Sequence, residues 1–281
     1  MMAMIQGGSL SPWMLAACLA VGVGALATLV RRERHSRAPM LPFRLWHNPT
    51  IALGNAGGFA IGAVMISVSG FLPIYVQGVM GRGAGTTGAV LGTMSISWAV
   101  ASIVAGRVML RTTYRLSAMI GGAALVLGSL VLVGLTPTRD PGWAGAGALL
   151  VGIGMGFCNT TYLVSVQAAA ALRDRGAATA SSMFMRIVGQ SVGAALFGAL
   201  VNFGLLRHGA QGDVAERLMA PLLRQSLGAA EIATLTDAMA SALRNVHVVG
   251  GLIGLVVLAL ATRLPRALSP ATLPDEKASR G

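Results

Sequence analysis

Seven long apolar stretches, separated by short polar breaks, constrain this chain more than any other feature. Each is long enough to cross a bilayer, since about 20 apolar residues span a hydrocarbon core of about 30 Å. Apolar residues make up 54% of the 281 residues and charged residues only 11%, whereas a soluble domain carries about a quarter charged residues. The sequence therefore predicts an all-α polytopic membrane protein. The predicted spans cover residues 12–30, 50–79, 87–109, 116–135, 142–167, 178–206 and 241–262.

The polar break after the first span, residues 31–49, is strongly basic, and we call it the hinge. Its five arginines lie beside an apolar span, and basic residues in that position stay on the cytoplasmic side. With the hinge inside, fifteen of the 21 Lys and Arg residues fall on the cytoplasmic side. We therefore predict a multi-pass protein of a bacterial cytoplasmic membrane, with its N-terminus outside and its C-terminus inside. The hinge arginines are Arg31, Arg32, Arg34, Arg37 and Arg44.

The same pattern divides the chain into four parts. Residues 1–30 are predicted to hold a linker transmembrane helix, and the hinge follows it. Residues 50–262 form a six-helix bundle, and residues 263–281 form a disordered cytoplasmic tail. The net charge of +12 is explained by topology charges and by contact with the lipid bilayer, including its anionic headgroups, so no nucleic-acid partner is predicted.

The longest external connection, residues 207–240, contains apolar residues at helical spacing. This spacing fits an external amphipathic helix, and an ordinary surface loop is the alternative. The residues concerned are Val214, Leu218, Leu222 and Leu223.

Small residues repeat at helical spacing along several spans. Such repeats place glycines on one helix face, where they allow neighbouring backbones to approach closely. We predict that these glycines pack helix against helix in a many-helix bundle. The repeats are Gly54, Gly58 and Gly62 in the second span, Gly189 and Gly193 in the sixth, and Gly250 and Gly254 in the seventh.

Polar side chains inside the spans are candidates for lining a substrate cavity, because polar groups avoid lipid. Helix–helix hydrogen bonds are the alternative for each of them. Arg186 stands out, since an arginine within a span needs a partner or an aqueous outlet, and Asp174 on the preceding loop is a candidate partner. The cavity candidates are Asn55, Gln77, Asn159, Gln190 and Asn202.

No Asp or Glu lies inside a predicted span, and of the four histidines only His247 does. Proton-coupled transport normally needs such a group within the membrane, so this chain alone is expected to lack a complete proton relay. The glycines of Gly152-Ile-Gly154-Met-Gly156 lie within an apolar helix rather than after a strand, which favours packing over nucleotide binding. No metal-ligand spacing or catalytic constellation is present, so we predict neither a metal site, nor a bound cofactor, nor an enzyme.

Three segments carry a resemblance to a known family. LPFRLWHNPTIALGN (residues 41–55), FLPIYVQGVMG (71–81) and RDRGAATASSMFMRIVGQSVGAALFGALV (173–201) are similar to the C-terminal part of 14-helix major facilitator superfamily exporters of the drug:proton antiporter type. The resemblance covers nearly the whole chain. It implies two inverted three-helix repeats, alternating access, small-molecule efflux and use of the proton motive force.

The resemblance also implies a partner and a set of gating residues. The family's N-terminal six helices would precede this chain, so the chain is expected to be incomplete on its own, with that half encoded in the same gene, in an adjacent gene, or replaced by a second copy. The alternative is a degenerate subunit that only binds another half. Residues 106–115 resemble the superfamily's inner-loop motif, with Leu110 at its usual Asp and Thr113 at its usual Gly. The gating candidates are Arg107, Arg111, Asp174 and Arg186.

Overall fold

The structure is a computed structural model that describes residues 28, 31, 43–208, 214–220 and 228–265. The described residues form helices and connecting turns, and no strand is found among them. Six helices in these ranges are long and apolar enough to cross a membrane. The fold class predicted from the sequence is therefore confirmed for the bundle, whereas the predicted first span and the C-terminal tail lie almost entirely outside the described residues.

The helices follow one another with short turns. A 3₁₀ turn, Phe43–His47, precedes α1. The bounds are α1 Pro49–Ser69, which continues through Leu72–Ile74 and a π-helical turn Tyr75–Val79; α2 Ala84–Arg111; α3 Tyr114–Val133; α4 Pro141–Ala169; α5 Arg175–Arg207, preceded by the 3₁₀ turn Leu172–Asp174; α6 Val214–Met219; and α7 Ala229–Arg263.

Side-chain caps define where three helices begin. Asn48 accepts a hydrogen bond of 3.0 Å from the backbone N–H of Thr50 and caps α1. Thr113 caps α3 in the same way, and Asp140 caps α4. Pro49 and Pro141 stand at the first helical positions, where the missing N–H of proline costs no helix bond. These caps limit the turns between α2 and α3 and between α3 and α4 to a few residues.

The last helix begins well before the predicted start at residue 241. It begins at Ala229 because residues 229–240, although too polar to read as a membrane span, form an amphipathic extension of α7. Leu235, Ala238 and Met239 on this extension are buried. Glu231 and Asp237, which were predicted to lie in an external connection, therefore lie in the first turns of a long helix.

The connection between α5 and α7 contains a helix, α6, rather than only a surface loop. Val214 and Leu218 are both 1% exposed and belong to the hydrophobic core. The predicted amphipathic helix is thus present as far as residue 219, while Leu222 and Leu223 lie outside the described residues. Leu218 also packs near Gly78 of the π-helical turn.

The six long helices pack with twofold regularity. Taking α1–α3 as one set and α4, α5 and α7 as the other, the middle helix of each set packs on the first helix of the other set: α2 on α4, and α5 on α1. The third helices, α3 and α7, pack against each other. This exchange of partners is the arrangement expected of two inverted three-helix repeats.

Glycines occupy the closest approaches between these helices. A methyl group on Gly58 would lie 3.3 Å from the main-chain oxygen of Ser182, and one on Gly193 would lie 2.8 Å from the Cα of Ala63. Gly62 and Gly189 likewise face main-chain atoms across the α1–α5 contact, at Arg186 and Phe59 respectively. Gly54 differs, because it faces Val166 of α4.

The glycine triplet 152–156 is a packing element. Gly152 and Gly156 lie against α2, next to Met94 and Ala101, while Gly154 lies against Leu125 of α3. Alternate glycines therefore let α4 fit between two neighbours. No phosphate-binding turn is formed, since all three glycines lie inside α4.

Candidate functional site

A row of polar side chains follows the gap between α4 and α5, and we call it the polar strip. Gln167 Nε2 donates a hydrogen bond of 3.0 Å to Thr179 Oγ1, and Arg186 Nη1 donates one of 3.0 Å to Asn159 Oδ1. Gln190 continues the row on α5, where its Nε2 lies 3.4 Å from the sulfur of Met65 on α1. The polar strip consists of Gln167, Thr179, Asn159, Arg186 and Gln190.

Arg186 lies within the predicted sixth span, and its side chain is half-buried. At about 1.5 Å per residue, it stands about 16 Å from Arg175 along the 33 residues of α5. Glycine makes this position possible, because Gly62 of α1 packs on the main chain of Arg186 and leaves the side chain to reach across to α4. The result is a cation within a membrane helix, held by an amide.

A small cavity of about 40 Å³ opens beside Arg186. Asn159, Ser182 and Arg186 give it a polar side. Its apolar side is formed by Ile61, Leu163 and Met183.

Asp174 does not pair with Arg186. Its Oδ1 accepts a hydrogen bond of 2.7 Å from Arg44 Nη2, and its Oδ2 lies 3.7 Å from Arg173 Nε. The pairing suggested by the sequence fails because Asp174 precedes α5 and turns toward the hinge, whereas Arg186 lies about three helical turns further on. Asp174 therefore ties the hinge to the turn before α5.

The other cavity candidates lie apart from the polar strip. Asn55 is fully buried, and its Nδ2 donates a hydrogen bond of 3.2 Å to Ser181 Oγ, which also accepts one from Trp46 Nε1 at 3.1 Å. Gln77 is half-buried on the π-helical turn, and Asn202 is exposed near the far end of α5. Of the five candidates, the structure brings Asn159 and Gln190 to Arg186 and places Asn55, Gln77 and Asn202 elsewhere.

The connection between α2 and α3 contains the remaining gating candidates. Arg107 and Arg111 are exposed and form no ion pair within the described part of the chain. Thr113 serves as the cap of α3, and Leu110 is 89% exposed. Arg115, rather than the earlier arginines, makes a structural contact here, since its Nε donates to the main-chain oxygen of Leu264 at 3.0 Å.

Sequence reasoning missed two members of the polar strip and one hydrogen-bonding centre. Gln167 stood at the end of a predicted span and Thr179 near the start of the next, so both read as boundary residues. Ser181 joins Trp46 to Asn55, and nothing distinguishes it from Ser182 in the sequence. One sequence signal could have grouped Asn159 with Gln167: the two residues lie eight positions apart, which places them on one face of a helix.

The family model described as Major Facilitator Superfamily matches residues 1–194, which is more than half of the chain. The chain belongs to the major facilitator superfamily. Membership of this family points to a role in membrane transport and away from an enzyme.

Relatives within the superfamily agree with this assignment. The chain is 25% identical over 190 residues to a protein of Bacillus subtilis named Multidrug transporter protein MdtP, covering 68% of this chain and 35% of that protein. It is 31% identical over 207 residues to an uncharacterised MFS-type transporter of Mycobacterium tuberculosis, covering 72% and 30%. It is 28% identical over 173 residues to Multidrug resistance protein 3 of Bacillus subtilis, covering 60% and 33%. The matches span about a third of the length of these relatives.

The major facilitator bundle leaves two of its helices poorly covered. In the most apolar stretches of α2 and of the helix containing α5, 22% and 17% of residues are buried, against 61% for the first membrane helix and for α4. An apolar groove of about 470 Å³ also runs between α2 and α4, lined by residues such as Val100, Ile153 and Phe157. The polar strip lies on the α4–α5 side of the bundle, next to the exposed helix α5.

Proposed function

We propose that this chain supplies the C-terminal six-helix half of a proton-coupled small-molecule efflux transporter that works by alternating access in a bacterial cytoplasmic membrane. The single observation that carries the proposal is the polar strip between the membrane helices α4 and α5. It lies on the side of the bundle where α5 is uncovered, which is where a second six-helix half would close a cavity. The drug-transporter names of two relatives support export as the direction of transport.

The residues of the polar strip then have separate roles. Asn159 and Arg186 line the cavity and contact substrate, and Gln190 extends the polar surface one helical turn further along α5. Gln167 and Thr179 join α4 to α5 toward the hinge. Arg44 and Asp174 hold the hinge against α5 and act with Arg107 and Arg111 at the cytoplasmic end when the two halves rock. Asn55 and the glycines of α1 and α5 keep the bundle rigid, so that it moves as one body.

The companion half supplies what this chain lacks. Within the described membrane helices, the only carboxylates are Glu231 and Asp237, which belong to the first turns of α7. A proton carrier other than His247, which is buried in α7, therefore comes from the N-terminal half, which is encoded upstream in the same gene or in an adjacent gene, or from a second copy of this chain.

Transport of ethidium into inverted membrane vesicles tests the proposal. The chain is expressed in a drug-sensitive bacterial host, alone and together with the adjoining coding sequence, and accumulation of ethidium is measured with and without a proton ionophore. If an N-terminal half is the companion, we expect accumulation only when both coding sequences are expressed, and if a second copy is the companion, this chain alone should suffice. In both cases accumulation should be lost when the ionophore collapses the proton gradient. Accumulation that survives the ionophore would contradict the proposal.

A second function, a subunit that binds a companion half without transporting, is favoured by the exposed Leu110 in the place of the inner-loop Asp. The same experiment separates the two functions. Co-purification of both halves without any ethidium accumulation, in a preparation where a known transporter works, would support the non-transporting subunit.

A further inference from the structure

The guanidinium of Arg186 donates a hydrogen bond from one edge, and its other edge has no hydrogen-bond partner among the residues that the structure describes. Nη1 donates to Asn159 Oδ1 at 3.0 Å, whereas Nε is buried and has no hydrogen-bond partner among the residues that the structure describes. The N–H of Nε points in the same direction as one N–H of Nη2, and this pair of donors matches the two oxygens of a carboxylate. The edge that lacks a partner is thus the edge that binds carboxylates in a bidentate manner.

No counter-charge reaches this edge from the described part of the bundle. Asp174 is engaged by Arg44 and Arg173, and Glu231 is paired with Arg217. Asp140 caps α4 and Asp237 is exposed on the first turns of α7. An arginine within a membrane helix is costly unless it is paired or hydrated, so the position calls for an anion from outside the described residues.

The cavity next to Arg186 has the size and polarity for such a group. Its volume of about 40 Å³ holds about three water-sized groups at about 10–15 Å³ each, which is the number of heavy atoms in a carboxylate. The carboxylate fills this volume, so the group that carries it lies outside the cavity, and Ile61, Leu163 and Met183 on the apolar side favour an apolar group there over a sugar or a nucleotide.

We propose that Arg186, oriented by Asn159, binds a carboxylate carried on an apolar group. The carboxylate comes either from an organic acid that the transporter handles or from an acidic side chain of the companion half. The inference rests on the proposed function for the identity of these two sources. The binding chemistry at Arg186 does not depend on it.

Ligand-induced stabilisation of the purified full chain tests the site. Benzoate is the probe, and benzamide is the neutral control of the same shape. We expect benzoate to raise the midpoint of thermal unfolding in a saturable way, with half-saturation at about 1–10 mM, as is usual for so small a ligand, and benzamide to have no such effect. Equal effects of the two compounds, or none from benzoate, would overturn the proposal.

Three variants assign the effect to the guanidinium. R186Q keeps a donor for Asn159 but loses the charge, so binding of benzoate should weaken at least tenfold. R186K should fall between R186Q and the unchanged chain, because lysine keeps the charge but loses the two parallel donors. R207Q removes an arginine near the far end of α5 that lies over the Phe203 ring and should bind benzoate normally. Undiminished binding by a folded R186Q protein would refute the assignment.

The same titration on the assembled transporter identifies the source of the carboxylate. If the companion half supplies it, the complex should no longer bind benzoate, and R186Q should weaken co-purification of the halves. If a substrate supplies it, the complex should bind benzoate as the single chain does, and benzoate should compete with export. Both results support the carboxylate site. Failure of ethidium export would count against the proposed function without changing the binding result.

Discussion

The hydroxyl of Tyr162 donates a hydrogen bond of 2.9 Å to the main-chain oxygen of Val257 and so joins α4 to the C-terminal half of α7. Tyr162 is 1% exposed, and its ring also lies under Gly57 of α1, where an added methyl group would come within 2.7 Å of it. One side chain therefore links three helices in the part of the bundle that borders the cavity at Arg186.

Replacing Tyr162 by phenylalanine should lower the free energy of unfolding by about 0.5–1.5 kcal/mol, since one buried hydrogen bond between helices is lost. Y75F is the matched control: Tyr75 is equally buried, and its hydroxyl has no partner among the described residues. This control should be neutral or slightly stabilising. Unfolding of both proteins in mixed micelles measures the difference, and equal losses would show that the bond to Val257 contributes little.

Replacing Ser181 by alanine should destabilise the protein by about 1–3 kcal/mol. The change removes the acceptor for both Trp46 and Asn55, and Asn55 is fully buried, so a donor inside the bundle loses its bond. Ser191 lies on the exposed side of the same helix, and its hydroxyl donates only to the main-chain oxygen of Ile187. S191A should therefore change stability by less than about 0.5 kcal/mol. A small effect of S181A, measured in the same unfolding assay, would mean that Asn55 finds another partner.

Adding a methyl group at Gly156 should cost about 1–3 kcal/mol, because the new atom would lie 2.6 Å from the Cβ of Ala101 and overpack the contact between α4 and α2. G145A on the same helix has open space around the new atom. It should be neutral or stabilising by up to about 1 kcal/mol, as alanine favours helix over glycine. Thermal unfolding of the pair distinguishes close packing from a general effect of the substitution.

The ion pair between Arg44 and Asp174 should be worth little, about 0.2–1 kcal/mol, because the Arg44 side chain is 62% exposed and water screens the attraction. A double-mutant cycle with R44Q and D174N isolates the coupling between the two side chains. Coupling above about 3 kcal/mol would instead indicate a desolvated pair at the hinge, shielded from water by other groups.

Replacing the hinge arginines Arg31, Arg32, Arg34 and Arg37 by glutamine should weaken or invert the orientation of the predicted first span. Reporter fusions before and after that span measure the change. Replacing Arg82, Arg139, Arg207 and Arg217 by glutamine removes four charges from the predicted outer side and should leave the orientation unchanged. Unaltered reporter activity in the hinge variant would contradict the topology derived from charge.

Much of the fold follows from the sequence, because the bilayer imposes length and hydrophobicity on every span. The predicted ends of the second to sixth spans lie within a few residues of the observed helices. The start of α7 was not predicted because the extension from Ala229 is amphipathic rather than uniformly apolar. Only one of its faces is buried, and that face includes Leu235 and Met239.

The candidate site was less accessible to sequence reasoning, since it depends on which helices become neighbours. Arg186 stood out by its charge alone, but its bond to Asn159 requires α4 and α5 to lie side by side. Asp174 was a reasonable partner for Arg186 by its distance along the chain. The turn before α5 instead directs the Asp174 side chain toward Arg44, with which it pairs.

The exchange of partners between the two three-helix sets has a consequence for biogenesis. As the ribosome releases the chain in order, α1 and α2 enter the membrane before their principal neighbours, α5 and α4, have been made. The first set therefore waits, unfinished, with the glycine faces of α1 open to lipid or to an insertion chaperone. The bundle is complete only when α4 has packed on α2 and α3 and α5 has packed on α1. Nascent chains released after α3 lack these contacts and should be rapidly degraded.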